Sequence, residues 1–247
     1  MKTALILGST GQVGQHLLKE LLASPHYNKV GEFGRRVTSL EILSTGNEKL
    51  EQHKINFDKL DESGLKDGYW DDIYITLGTT RKAAGSATDF EKIDREFVLN
   101  AAKEVKKEDP ARPQRVLYVS CPSPSSTSMF LYPRSKGLTE EGLTKFGFSE
   151  AIMFRPGMLL GVQRPDARFL ESAATSVMNT FRLTRVSNSL GAQVSDVAKA
   201  MILAGTLGAA HLPACAKAFK TPFGATAIGN AGIVAMAAET KEEASQS

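Results

Sequence analysis

The 247-residue sequence is poor in cysteine, with only Cys121 and Cys215, and has a single tryptophan. Two cysteines so far apart do not form the dense, even framework that staples a small secreted domain. A reducing compartment is therefore expected. The four histidines, His16, His26, His53 and His211, are scattered without metal-ligand spacing, and no metal site is expected. Neither sign of charge is in large excess. Thirty Lys and Arg stand against 27 Asp and Glu, a net charge of +3, which is too weak a bias to point to nucleic acid or an acidic membrane surface. No apolar run reaches the roughly 18–20 residues needed to span a bilayer. The nearest, Phe223–Ala238, is interrupted by Asn230. No secretory leader is visible either, because Met1, Lys2 and Thr3 run directly into an apolar segment.

What remains is an ordinary globular composition, 42% hydrophobic and 23% charged, on a length that suits one domain with a full core. Ala4-Leu5-Ile6-Leu7 is a continuous apolar run, the pattern of a strand buried on both faces. Gly8-Ser9-Thr10-Gly11-Gln12-Val13-Gly14 follows. Val13, Leu17, Leu18, Leu21 and Leu22 then recur at helical spacing. Strand, glycine loop and amphipathic helix open a βαβ unit. Further strands are predicted at Lys29–Phe33, Lys54–Phe57, Asp72–Leu77, Val116–Ser120 and Ala151–Phe154. Phe90, Ile93, Phe97, Ala101 and Val105 mark a long helix, and others are predicted at Tyr132–Phe146 and Val194–Leu207. This alternation predicts an α/β protein: a doubly wound parallel sheet of Rossmann type with helices on both faces. It reads as one NAD(P)-binding domain with its core at about residues 1–157. Residues 158–240 are expected to form a small substrate-side lobe, and 241–247 a polar, frayed tail.

The loop spacing, Gly8-x-x-Gly11-x-x-Gly14, gives each glycine a task. The first permits a tight strand exit, the second lets backbone N–H groups approach a pyrophosphate, and the third packs helix on strand. A dinucleotide phosphate would then lie at the positive helix N-terminus. Where NAD binders carry an acid at the end of the second strand, this chain has Gly34-Arg35-Arg36. Two guanidiniums there suit a 2′-phosphate, which favours NADP(H). Glu32, the nearest acid, lies inside the strand and is read as too early to serve the ribose. Tyr132-Pro133-Arg134-Ser135-Lys136 places a tyrosine and a lysine at i and i+4 on one helix face. The ammonium is expected to lower the phenol pKa and let Tyr132 act as a general acid–base. Ser120, at the end of the fifth strand, would donate to a substrate carbonyl. Cys121 reads as a wall residue.

These features together resemble the atypical short-chain dehydrogenase/reductase family of the HIV Tat-interactive oxidoreductase and its fungal homologues of the mitochondrial outer membrane. The matching stretches are Ile6–Gly14, Gly34-Arg35-Arg36, Leu77-Gly78-Thr79-Thr80-Arg81, Asp94-Arg95, Phe130-Leu131-Tyr132 with Lys136-Gly137, and Phe154-Arg155-Pro156-Gly157. The resemblance runs to about residue 205. It implies cofactor contacts at Thr10, Gly11, Gln12, Val13, Arg35, Arg36, Leu77, Gly78, Tyr132, Lys136 and Leu159, with Thr79 beside them and Arg168 as a weaker match. It makes Tyr132 the proton-transfer residue. One departure is Cys121, which stands where the family has a second serine. The other is Val30-Gly31-Glu32-Phe33, less apolar than a second strand should be.

The expected activity is NADPH-dependent reduction of a small-molecule carbonyl substrate, with Tyr132, Lys136 and Ser120 as the catalytic set. The alternative is an NADPH-binding regulatory protein that docks on a protein partner or a membrane with little turnover. A nucleoside-diphosphate-sugar enzyme is a weaker third reading, because the region after residue 158 is short for a sugar lobe. The expected location is cytoplasmic, or, by the resemblance, peripheral on the mitochondrial outer membrane. Met158, Leu159, Leu160, Phe169 and Leu170 would line an apolar pocket or belong to the core.

Overall fold

The computed structural model describes residues 1–162 and 191–246, with side chains through residue 239. Ten strands are described: β1 (Lys2–Leu7), β2 (Tyr27–Gly34), β3 (Leu50–Lys54), β4 (Asp72–Ile75), β5 (Arg115–Val119), β6 (Glu150–Arg155), β7 (Met158–Leu160), β8 (Gly191–Gln193), β9 (Phe219–Lys220) and β10 (Thr226–Gly229). Eight of them form one sheet in the order β3-β2-β1-β4-β5-β6-β10-β9. All its neighbours pair in parallel except β9, which runs antiparallel to β10. This is the Rossmann-type doubly wound sheet. The strand order reverses between β1 and β4, and the crevice at the carboxyl ends of such strands is where doubly wound proteins bind ligands.

The alternating side chains of β1 explain its unbroken apolar run. Ala4 and Ile6 enter one core and Leu5 and Leu7 the other. The first core is covered by α1 (Gly14–Ala23), α6 (Val194–Leu207) and α7 (Asn230–Gln246), through Leu17, Leu21, Met201, Ile233 and Met236. The second is covered by α4 (Phe97–Val105) and α5 (Leu131–Lys145), through Phe97, Val98, Ala101 and Leu143. Ahead of α4 lie the short helices α2 (Arg81–Ala84) and α3 (Ala87–Glu91). A single turn of π-helix, Lys92–Glu96, joins α3 to α4.

Three expectations need correction. The third strand is Leu50–Lys54, not Lys54–Phe57. It is an edge strand that pairs only with β2, so its side chains are mostly exposed, whereas Ile55 and Phe57 drop into the core just beyond it. The described chain from residue 191 onward is not confined to a lobe apart from the core, because β10 pairs with β6 in the main sheet. The tail is also helical, since α7 carries the backbone to Gln246. Among the described residues no helix is long and apolar enough to cross a membrane.

The amino ends of the strands hold a buried polar cluster. Tyr27 donates to Asp72 at 2.7 Å, and Arg115 pairs with Asp72 at 3.0 Å and with Glu150. Because Tyr27, Asp72, Arg115 and Glu150 each begin a strand, this cluster lies at the end of the sheet opposite the glycine loop.

Candidate functional site

Gly8 leaves β1 with φ +92°, and the Gly11 N–H donates to its carbonyl at 2.9 Å. A Cβ on Gly8 would lie 2.7 Å from the Leu77 nitrogen. One on Gly14 would lie 2.0 Å from the Gly8 carbonyl oxygen. Side chains are therefore excluded from both ends of the loop by backbone, which cannot yield. At the start of α1 no side chain caps the helix and the first turn holds no acid. The Gln15 and His16 N–H groups donate to the Gly11 and Val13 carbonyls at 3.0 and 3.1 Å, which leaves the positive end of the helix dipole to favour an anion. Thr10 is exposed and Gln12 half-buried on this loop, while Val13 is buried beneath it.

The loop after β4 bridges this cradle to the acid–base helix. Thr76 Oγ1 donates to the Gly8 carbonyl at 3.1 Å, and Leu77 lies against Gly8. At Gly78 a Cβ would stand 3.2 Å from Asp94 Oδ1 and 3.5 Å from Lys136 Nζ. The glycine loop, Leu77-Gly78 and Lys136 thus form one continuous surface, with Thr79 next along the chain.

On α5, Tyr132 is 47% exposed and Lys136 is 4% exposed. Lys136 Nζ donates to Tyr118 Oη at 2.9 Å and pairs with Asp94 Oδ1 at 3.1 Å. Asp94 also accepts from Ser135 Oγ at 3.1 Å. Burial works against the lysine charge, but Tyr118 and Asp94 outweigh it and raise the Lys136 pKa. Partial burial raises the Tyr132 pKa, and Lys136 pulls it down without offsetting that rise. The expected lowering of the phenol pKa is thus present as a contribution but not as the net result. The physical reason is burial, which disfavours the phenolate, with smaller contributions from Cys121 and Asp94 in the same direction.

Ser120 follows β5 and is buried, and its Oγ has no hydrogen-bond partner among the described residues. A buried hydroxyl without an acceptor is uncommon in a native fold and is the arrangement a substrate oxygen would complete. Cys121 beside it is buried, and burial raises its thiol pKa, which disfavours the reactive thiolate. One helical turn beyond Lys136, Glu140 holds Arg155 by two hydrogen bonds, 3.1 and 2.6 Å long.

Arg35 and Arg36 are exposed at the exit of β2, and among the described residues neither is paired with a carboxylate. Leu159, on β7, packs against the α1 core, while Met158 is exposed. Arg168, Phe169 and Leu170 lie outside the described residues.

Three participants escape a reading of spacing and composition. Tyr118 looks like one more apolar residue of β5. Glu32 is fully buried and hydrogen-bonded rather than a bystander. Asp94 did leave a signal. It interrupts the apolar stripe between Phe90 and Val98, four residues from each, and a carboxylate on a buried stripe demands a partner.

No protein-family model matches the chain. It is 34% identical over 203 residues to "Protein FMP52-1, mitochondrial" of Scheffersomyces stipitis, covering 79% of this chain and 86% of that protein. It is 36% identical over 159 residues to "Protein HTATIP2" of Rattus norvegicus, covering 64% of this chain and 63% of that protein. Among solved structures, it resembles the Bordetella bronchiseptica enzyme WbmF in complex with NAD+, with TM-score 0.60, 16% identity, and coverage of 98% and 78% of the two chains.

Proposed function

The chain belongs to the atypical short-chain dehydrogenase/reductase family of the FMP52 proteins and HTATIP2, and on that premise we propose that it is an NADPH-dependent oxidoreductase that reduces a carbonyl substrate. The observation that carries this reading is the continuity of the glycine loop, Leu77-Gly78 and Lys136 at the carboxyl ends of the strands. The residues present fit a dinucleotide. The glycine cradle and the uncapped α1 N-terminus suit its pyrophosphate, and the unpaired Arg35 and Arg36 suit a 2′-phosphate. Lys136, beside Gly78, would hold the nicotinamide ribose, with Leu159 and the loop residues Thr10, Gln12, Val13 and Thr79 completing the contacts.

Bound NADPH supplies the hydride. Tyr132 donates its phenolic proton to the carbonyl oxygen, Ser120 hydrogen-bonds the same oxygen, and Lys136 stabilises the phenolate left behind. Exposed Met129, Phe130 and Met158 favour an apolar carbonyl compound over a charged one. The test is NADPH depletion across aldehydes, ketones and quinones, followed by Tyr132→Phe on the best substrate. Turnover is expected to fall at least a hundredfold with NADPH affinity unchanged, on the scale of a lost general acid. Full activity of that variant refutes the mechanism. Arg35→Ala with Arg36→Ala is expected to erase the preference for NADPH over NADH.

A second reading is favoured by one observation: burial of Tyr132, with a smaller push from Asp94, outweighs the pull of Lys136 on its phenol. Under it the protein binds NADPH and acts as a regulator, through a protein partner or peripherally on a membrane, and no carbonyl compound turns over. The FMP52-1 relative is named mitochondrial, which makes the mitochondrial surface the place to look for it by fractionation.

A further inference from the structure

Glu32 sits within β2, fully buried, yet both its oxygens face donors. Oε1 accepts from Ser9 Oγ at 2.5 Å, from the Thr38 N–H at 2.8 Å and from Thr38 Oγ1 at 2.7 Å. Oε2 accepts from Gln52 Nε2 at 2.7 Å, and the same amide donates to the Thr38 carbonyl at 2.7 Å. Charge-assisted bonds in such number can hold a carboxylate in a core. What sets this network apart is the pair of segments that it joins. Ser9 belongs to the glycine loop, between Gly8 and Gly11. Thr38 lies two residues beyond Arg36. The segments suited to the pyrophosphate and to the 2′-phosphate therefore converge on one oxygen atom. Because that carboxylate is buried and its oxygens are taken, it is not presented to a ribose hydroxyl.

We propose that Glu32 is a positioning residue that sets the spacing between the glycine loop and the arginine loop, with Ser9 and Thr38 as its two arms, and so governs both dinucleotide affinity and the preference for NADPH. The inference rests on the NADPH reading above. It separates two effects that a purely structural role would leave together. Ser9→Ala cuts only the arm to the glycine loop. Thr38→Val weakens only the arm to the arginine loop.

The experiment is calorimetric titration of NADPH and of NADH into the wild type, Ser9→Ala, Thr38→Val and Glu32→Gln, with melting curves to record folding. Ser9→Ala is expected to weaken both dinucleotides by the same factor, about tenfold, the scale of one hydrogen bond to a charged group. Thr38→Val is expected to weaken NADPH about fivefold to tenfold and NADH less than twofold, on the same scale. Glu32→Gln, which keeps the shape but presents an amide donor to Gln52 or Thr38, is expected to show both losses. If Glu32→Gln does not fold, the two arm variants carry the test. Folded variants that bind both dinucleotides within about twofold of the wild type overturn the proposal and leave the NADPH reading intact. A Glu32→Gln variant that gains NADPH preference also overturns it, because the carboxylate must then meet the ribose. A wild type that binds neither dinucleotide overturns the underlying reading and this inference with it.

Discussion

Removing Asp94 strips Lys136 of the one carboxylate that pairs with it among the described residues. Both side chains are almost wholly buried, 1% and 5% exposed, and their charged atoms are 3.1 Å apart. At that distance the gross Coulomb attraction is about 5 kcal/mol for an effective dielectric near 20, a ceiling that ignores desolvation. Breaking a buried pair from one side costs about 3–5 kcal/mol, because the survivor keeps its charge without its partner. In Asp94→Ala the lysine retains Tyr118 Oη at 2.9 Å. We therefore expect the lower end, about 3 kcal/mol, which for a protein of this size lowers Tm by about 6–12 °C. In Lys136→Met the carboxylate keeps the Ser135 hydroxyl at 3.1 Å and the cost is of similar size. The assay is urea unfolding of both single variants and the double variant. The double variant is expected to be less destabilised than the sum of the singles by about 2 kcal/mol or more, because it leaves no stranded charge. Costs that add within about 0.5 kcal/mol would refute the pairing and the account of Lys136 built on it. The same substitution tests the chemistry. Asp94 is one of the charges that raise the Tyr132 pKa, so a pH–rate profile controlled by Tyr132 should shift toward acid in Asp94→Asn.

Gly14→Ala should damage the glycine cradle far more than Gly229→Ala damages the end of β10. The new methyl meets the Gly8 carbonyl at 2.0 Å in the first case and open space in the second. Gly14→Ala is expected to cost about 1–3 kcal/mol and to weaken NADPH binding, both read by thermal shift with and without NADPH. Glu140→Ala leaves the half-buried Arg155 without its bidentate partner and is expected to cost about 3 kcal/mol in urea unfolding, with Glu140→Gln costing less than half of that. His26 has a pKa lowered by burial and by Lys2, with Asp72 opposing. The unfolded chain therefore takes up the proton first, and stability contributed by this residue is lost as the pH falls below about 6.5. Tm measured at pH 7.5 and 5.5 should differ less in His26→Gln than in the wild type; an unchanged difference would exclude His26 as the source.

The amino-terminal βαβ opening was legible because a strand buried on both faces, a glycine turn and an amphipathic helix each leave a distinct local pattern. The parallel pairing followed from the alternation, since parallel strands need crossovers. Local pattern misled at β3, where an edge strand exposes its side chains and the buried Ile55 and Phe57 lie outside it. β10 was missed because Thr226–Gly229 is short and small-sided, and its membership of the sheet depends on β6, more than seventy residues earlier in the chain. At the site, the glycines, Arg35, Arg36, Tyr132 and Lys136 could be read from spacing. The partners of Lys136 could not, because Tyr118 and Asp94 reach it from other elements and only the packing of α5 against β5 and the π-helical turn brings them together.

The π-helical turn at Lys92–Glu96 has a consequence for how this segment tolerates changes in chain length. One residue more than an α-helical turn needs is accommodated there, and each residue of an α-helix advances the side chains by about 100°. Deleting a single residue from this turn would let α3 run into α4 as a regular helix. It would also rotate everything ahead of the deletion by about that angle relative to α4. Phe90 would turn by about that angle relative to the buried face of α4 and out of its present buried position. The surplus residue works as a phase adjuster, so a deletion that improves the helix locally should be harder to accept here than an insertion in the exposed loop at residues 108–113.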